Sequence, residues 1–163
     1  MHYMHILGKL TCASNQRRSR PWLYKTQSAL FSMFSQTYSS LDLHNVSVRI
    51  HSKVFGTNIK GCNLWLGSRD KYGYGVMRFP KTKHSDAANI QNSSVKVHRL
   101  LYFVENNGTN LTADMHVSHL CHSKACYRLE HLNYERPHVN ADRNICHSMG
   151  VCHGHDEEPL CIV

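Results

Sequence analysis

The sequence predicts a mixed α+β, loop-rich domain with antiparallel hairpins, on three observations. Short segments of apolar alternation sit beside Gly- and Asn-rich turns in the middle of the chain. One later segment, Val95–Val104, instead spaces its apolar residues as a helix does. Finally, residues 118–161 are poor in apolar side chains yet hold five of the seven cysteines and about half of the histidines. In a chain of this length such a tail needs metal to replace missing hydrophobic burial.

At 163 residues, one domain with an N-terminal arm is the expected organisation, with the arm over 1–45 and the folded domain over 46–163. A formal charge of +8 suits a polyanionic partner, most simply nucleic acid. No apolar run is long enough to span a bilayer, and the mean hydropathy is −0.45. The arm carries Arg17, Arg18, Arg20 and Lys25 and no acid before Asp42. That composition fits a basic arm on phosphates or an organelle presequence. Spacing of Leu23, Leu30, Phe31 and Phe34 predicts a short helix within Trp22–Tyr38, and Cys12 is a spare thiol.

Val48, Ile50 and Val54 alternate with Arg49, His51 and Lys53, which predicts a strand over 48–55 with a basic outer face. Asn63–Leu66 reads as a strand, Gly67–Asp70 as a turn and Tyr72–Phe79 as the returning strand of a hairpin. Its basic continuation, Lys81, Lys83 and His84, would suit a ribbon entering a major groove. The Val95–Val104 helix is expected behind Ser93 or Ser94 as cap, with Arg99 on its polar side and Asn106–Gly108 as its stop. Ala113–Leu120 reads as a strand delivering His119, and 133–145 as a helix whose start Pro137 delays.

The tail contains Cys121, Cys126 and His131 as C-x4-C-x4-H, then Cys146, Cys152, His155 and Cys161 as C-x5-C-x2-H-x5-C. Both spacings suit tetrahedral zinc, which takes thiolate sulfur and imidazole nitrogen from short loops. A secreted disulfide framework is the competing reading, encouraged by sequons at Asn45, Asn92, Asn107 and Asn110. Against it stand an odd cysteine count, a histidine within each cluster and a start without a signal-peptide pattern. His119 and Asn140 belong to no zinc count, and they are the candidates for the chemistry. His116, His122, His138 and His147 are read as solvent-facing or supporting residues, and Asp142 as a surface acid, with a second metal ligand as its alternative.

Ser118-His119-Leu120-Cys121-His122, Cys126 with His131, and Asn140-x-x-Arg143-Asn144-x-Cys146 resemble the His-Cys box of homing endonucleases. Cys152-His153-Gly154-His155 with Cys161 continues the likeness over 118–161. A weaker likeness reaches back through His98-Arg99-Leu100 to Cys62, Trp65 and Tyr74-Gly75. The resemblance implies a ββα-metal active site stapled by two structural Zn2+ ions. One zinc would be held by Cys62, Cys121, Cys126 and His131. The other would be held by Cys146, Cys152, His155 and Cys161, with His155 preferred over the competing His153. His119 would be the general base and Asn140 the ligand of one catalytic Mg2+, in a site-specific endonuclease of double-stranded DNA.

Elementary chemistry agrees. Phosphodiester hydrolysis needs a base for the attacking water, and neutral imidazole is basic near pH 7. A hard cation at the departing oxygen prefers an oxygen ligand such as the Asn140 amide. The arginine that binds the scissile phosphate in the family has no single counterpart; Arg78, Lys81, Lys83 and Arg99 compete. Arg49 and Lys53 complete the candidate DNA contacts. Members of the family are typically encoded in mobile introns of nuclear ribosomal DNA. That implies a nuclear site of action, with an organelle as the alternative that the acid-poor arm suggests. Some members exchange a C-terminal tail in a homodimer; two residues follow Cys161, so dimerisation is expected through another surface. The alternative function is a zinc-dependent DNA-binding module that does not cut, though such a module needs neither His119 nor Asn140.

Overall fold

The computed structural model describes residues 21–78, 94–156 and 158–163. Helix α1 (Pro21–Thr37) and helix α2 (Ser40–His51) precede two short strands, β1 (Val54–Thr57) and β2 (Asn63–Trp65). Strands β3 (Val76–Arg78) and β4 (Ser94–Lys96) lead into helix α3 (Val97–Glu105). Strands β5 (His116–His119) and β6 (Leu132–Glu135) then feed helix α4 (Pro137–Met149). The described strands form three antiparallel pairs, β1–β2, β3–β4 and β5–β6. This is the mixed α+β architecture with short hairpins that the sequence predicts.

Helix α3 is the centre of the core. Val97, Leu100, Leu101, Phe103 and Val104 are all buried, as their helical spacing requires. Phe31 and Phe34 of α1, three residues apart on one face, enter the same core, and Phe31 meets Phe103 with ring centroids 5.1 Å apart. A fully buried phenylalanine contributes about 1.5–3 kcal/mol of transfer free energy, so these rings fasten α1 to α3. Trp65 is buried beneath two backbone turns. A Cβ on Gly67 or Gly75 would stand 2.6 or 2.7 Å from its indole, so only glycine lets the chain pass so close.

Three local expectations are corrected. The predicted strand over 48–55 is the end of α2, with β1 following. Ser39 and Asp42 form a reciprocal capping box that starts this helix. Val46 and Ile50, four residues apart, are its buried face, while Val48 points outward; the period of two was coincidental. Second, β2 pairs with β1, and β3 pairs with β4 instead of returning on β2. Only Arg69 and Gly75 bridge across the intervening turn, where Asp70 Oδ1 accepts from the Tyr72 and Tyr74 amides. Third, Ser94 lies in β4, and α3 begins after Lys96 without a side-chain cap. The expected stop at Asn106–Gly108 is present, with Asn107 and Gly108 both at positive φ.

The β5–β6–α4 unit is held by one buried ion pair. Arg143 Nε and Nη2 donate to the Glu135 carboxylate at 2.9 and 2.8 Å, and both residues are almost fully buried. Burial alone would push the Glu135 carboxyl up. Hydrogen bonds from Arg143, Ser118 and Asn133, with the guanidinium charge, outweigh it and hold the group below its ordinary value. Arg143 also donates to the Pro159 carbonyl at 2.7 Å, so one side chain ties α4 to β6 and to the C-terminal segment. Arg143→Met strands a buried carboxylate and is expected to cost about 3–5 kcal/mol in urea unfolding of the zinc-loaded protein. Adding Glu135→Leu should recover most of that loss, and a single variant within about 1 kcal/mol of wild type would contradict this account.

Candidate metal clusters and active site

Two sets of ligand atoms converge, each within 4.8 Å of one another: Cys62, Cys121, Cys126 and His131, and Cys146, Cys152, His155 and Cys161. Backbone pairing explains how Cys62 reaches the first set from far along the chain. Trp65 N donates to the Ala125 carbonyl at 2.9 Å, Tyr127 N donates to Asn63 at 3.0 Å, and Leu64 bridges Cys126. Strand β2 is thereby laid against the 125–127 loop, with Cys62 beside Cys126. The Asn58 side chain accepts from the Lys60 and Cys62 amides and fixes the approach. His131 presents Nδ1, 3.6 Å from both Cys62 and Cys126 sulfur. Hydrogen bonding with Cys126 draws the Cys121 thiol down to about 4, so a thiolate forms readily.

In the second set His155 presents Nε2, 3.5 Å from Cys146 and 3.2 Å from Cys161 sulfur. Its Nδ1 donates to Asp142 Oδ2 at 2.9 Å. Asp142, expected to be a surface acid, thus orients a ligand imidazole in the manner of carboxylate–histidine–zinc arrangements. His155 is buried and His153 exposed, although His153 Nδ1 also lies 3.2 Å from Cys146 sulfur. The described cysteines are all free thiols. Three thiols with one imidazole, closed on all sides, fit zinc in a structural role. The two Cys3His sets therefore support two structural zinc ions.

Between the clusters lies a cavity of about 320 Å3 lined by residues of β4, α3, β5, α4 and the 120–124 loop. His119 reaches it from the end of β5 and Asn140 from α4. His119 Nε2 lies 3.0 Å from the Cys126 carbonyl oxygen, which can only accept, so Nε2 carries the proton and Nδ1 keeps its lone pair. Burial lowers the His119 proton affinity to about 4, with partial opposition from Cys121 and the Cys126 carbonyl. The Asn140 amide nitrogen lies 3.0 Å from His116 Nδ1.

Among the described residues, three cations, Lys96, Arg99 and Lys124, line the same cavity and no carboxylate does. Lys96 Nζ sits 3.9 Å and Lys124 Nζ 5.8 Å from the centre of the Tyr74 ring. Burial, with neighbouring positive charge, pushes His98 and His116 down. Such a pocket disfavours extra protons and favours an anion.

Among the described residues, Arg99 is the one expected DNA contact that lines this cavity. It is almost fully buried, with its guanidinium 5.6 Å from the Phe31 ring, and not on a solvent-facing side of α3. Arg49 lies at the exposed end of α2, Lys53 just beyond it, and Arg78 at the exposed end of β3. Lys81, Lys83, His84, Ser93 and Cys12 lie outside the described residues. His116, His122 and His147, read from sequence as solvent-facing or supporting residues, also line the cavity. His122 and His147 stack with centroids 4.5 Å apart, and His98 packs 4.5 Å from His119. Lys96 and Lys124 escaped the sequence reading altogether, and His98 entered it only within the His98-Arg99-Leu100 likeness, without a role. The one available signal was the proximity of Lys96 and His98 to Arg99 in a single short segment.

A family model described as the zinc-binding loop region of homing endonuclease matches residues 62–161, more than half of the chain. No curated protein and no solved structure matches it. Among the described residues, no helix is long and apolar enough to cross a membrane.

Proposed function

The chain belongs to the family defined by the zinc-binding loop region of homing endonucleases, and from that premise we propose that it is a site-specific DNA endonuclease. In this reading His119 is the general base and Asn140 the ligand of one Mg2+. The observation that carries it is the cavity itself. It brings His119 and Asn140 together from separate elements, beside three cations and, among the described residues, no carboxylate.

Each part has a chemical use. With its Nε2 proton committed to the Cys126 carbonyl, His119 has Nδ1 available to take a proton from water. Lys96, Arg99 and Lys124 would receive a phosphate, and Arg99, the one expected phosphate contact among the described residues that lines the cavity, takes the family arginine's part. When bound, Mg2+ would stabilise negative charge on the departing 3′ oxygen, held by the Asn140 amide with phosphate oxygens and water completing its shell. The intron-encoded origin, nuclear site of action and homodimeric state expected from the resemblance belong to the same proposal.

The test is incubation of the zinc-loaded protein with supercoiled plasmid DNA and Mg2+, with intron-free ribosomal DNA among the substrates. Nicked or linear product that depends on Mg2+ is the expected result. DNA binding without any cleavage would overturn the enzymatic reading and leave a zinc-dependent DNA-binding module. Binding should weaken with salt at a log–log slope of about −0.9 for each phosphate contacted.

A further inference from the structure

An asparagine serves a hard cation only if its amide oxygen, and not its NH2 group, faces the ion. The two ends of the amide are alike in size and opposite in chemistry, so a neighbour must fix the flip. The α-helix fixes the Asn140 backbone, whose N–H donates to the Arg136 carbonyl at 3.2 Å, but it leaves the terminal side-chain torsion open. That torsion is settled by His116, whose Nδ1 stands 3.0 Å from the Asn140 amide nitrogen. His116 opens β5 three residues before His119, opposite Glu135 in the β5–β6 ladder. Glu135 in turn grips Arg143, one turn beyond Asn140 on α4. The strand that presents the candidate base and the helix that presents the candidate cation ligand are therefore joined through His116.

We propose that His116 is a positioning residue of the centre: its Nδ1 accepts a hydrogen bond from Asn140 Nδ2 and turns the amide oxygen toward the cation and the phosphate. The inference rests on the reading of Asn140 as the Mg2+ ligand. Its importance follows from the absence of any carboxylate among the described residues that line the cavity. There the Asn140 amide oxygen and the phosphate would be the oxygen ligands offered to a cation. An inverted Asn140 would set an N–H donor against it in a pocket already rich in positive charge.

The test measures metal binding directly, in a His119→Ala background so that turnover does not intrude. Zinc-loaded protein bound to a short mixed-sequence duplex is titrated with Mn2+, and unbound Mn2+ is read by electron paramagnetic resonance. His116→Ala is expected to weaken Mn2+ binding by about 10- to 100-fold, the usual cost of losing a residue that orients a metal ligand. Duplex affinity and thermal midpoint should stay near those of the parent. His116→Gln, which restores an acceptor, should recover much of the loss. His116→Leu keeps bulk without an acceptor and replaces the alanine variant should that one fold poorly. Mn2+ affinity unchanged in His116→Ala or His116→Leu, while Asn140→Ala loses it, would overturn the inference and leave the reading of Asn140 intact. Unchanged affinity in Asn140→Ala as well would overturn that reading itself, and the inference with it.

Discussion

Stripping zinc with a strong chelator is expected to unfold residues 62–161, with loss of near-ultraviolet circular dichroism and of DNA binding, both restored by added zinc. The argument begins with what lies around the ligands. The first set forms a small cluster in which Cys62, Cys121 and Cys126 are buried, with Leu64 and Ile162 packed against it among the described residues. The second set joins the end of α4 to the terminal segment, where Met149, Val151, Leu160 and Val163 are exposed and bury little. Among the described residues the main core flanks the first set through Trp65, Tyr127 and Leu132 and includes no residue beyond Tyr134. Zinc contributes about 10–16 kcal/mol to the folding of small metal-dependent units, against a total stability of about 5–15 kcal/mol for an ordinary domain. Removal therefore exceeds what the main core can offset. The loaded protein should contain about two zinc ions per chain, and Cys126→Ser should reduce that by about one. A chain that keeps its fold and its near-ultraviolet spectrum without zinc would sink this account.

His119→Ala is expected to lower DNA cleavage by about 10²- to 10⁴-fold, the usual contribution of a positioned base. Binding should be little changed, because the cations that would meet the phosphates, Lys96, Arg99 and Lys124, are untouched. The substitution removes one hydrogen bond, to the Cys126 carbonyl, and one ring packed against His98. The thermal midpoint of the zinc-loaded variant separates that structural loss from the chemical one. Cleavage by the variant at the wild-type rate, on the same DNA with Mg2+, would remove His119 from the role of base. A fall in cleavage matched by an equal fall in DNA affinity would make His119 a binding residue instead.

The metal sets were legible in the sequence because chelation is largely local. Cys121, Cys126 and His131 are close enough to close on one ion whatever surrounds them, and so are Cys146, Cys152, His155 and Cys161. Cys62 was different: only the family likeness suggested it, and the pairing of β2 with the 125–127 loop is what carries it there. The central helix was legible because Val97, Leu100, Leu101 and Val104 keep one strong period. Helix α2 was misread because Val48, Ile50 and Val54 imitate a strand, while the deciding signal, the Ser39–Asp42 capping box, lies upstream of the alternation.

The candidate centre divides along the same line. Residue type and order, read through the family likeness, marked out His119 and Asn140 as the candidate base and candidate oxygen ligand that no zinc needs. Their setting depends on tertiary convergence: β4 supplies Lys96, α3 supplies His98 and Arg99, β5 supplies His116, and the 120–124 loop supplies Lys124. None of these residues is close to Asn140 in the chain, so no spacing rule could have assembled them. Arg99 shows this most sharply. In sequence it is a charge on a helix, to be left facing water; in the fold it is buried at the edge of a cavity that no carboxylate among the described residues lines. Apart from Cys62, the sequence by itself marked out the candidate zinc ligands, because coordination chemistry is short-ranged. The tertiary structure alone decided the electrostatics of the cavity and the orientation of Asn140, because both depend on charges and hydrogen-bond partners brought from distant parts of the chain.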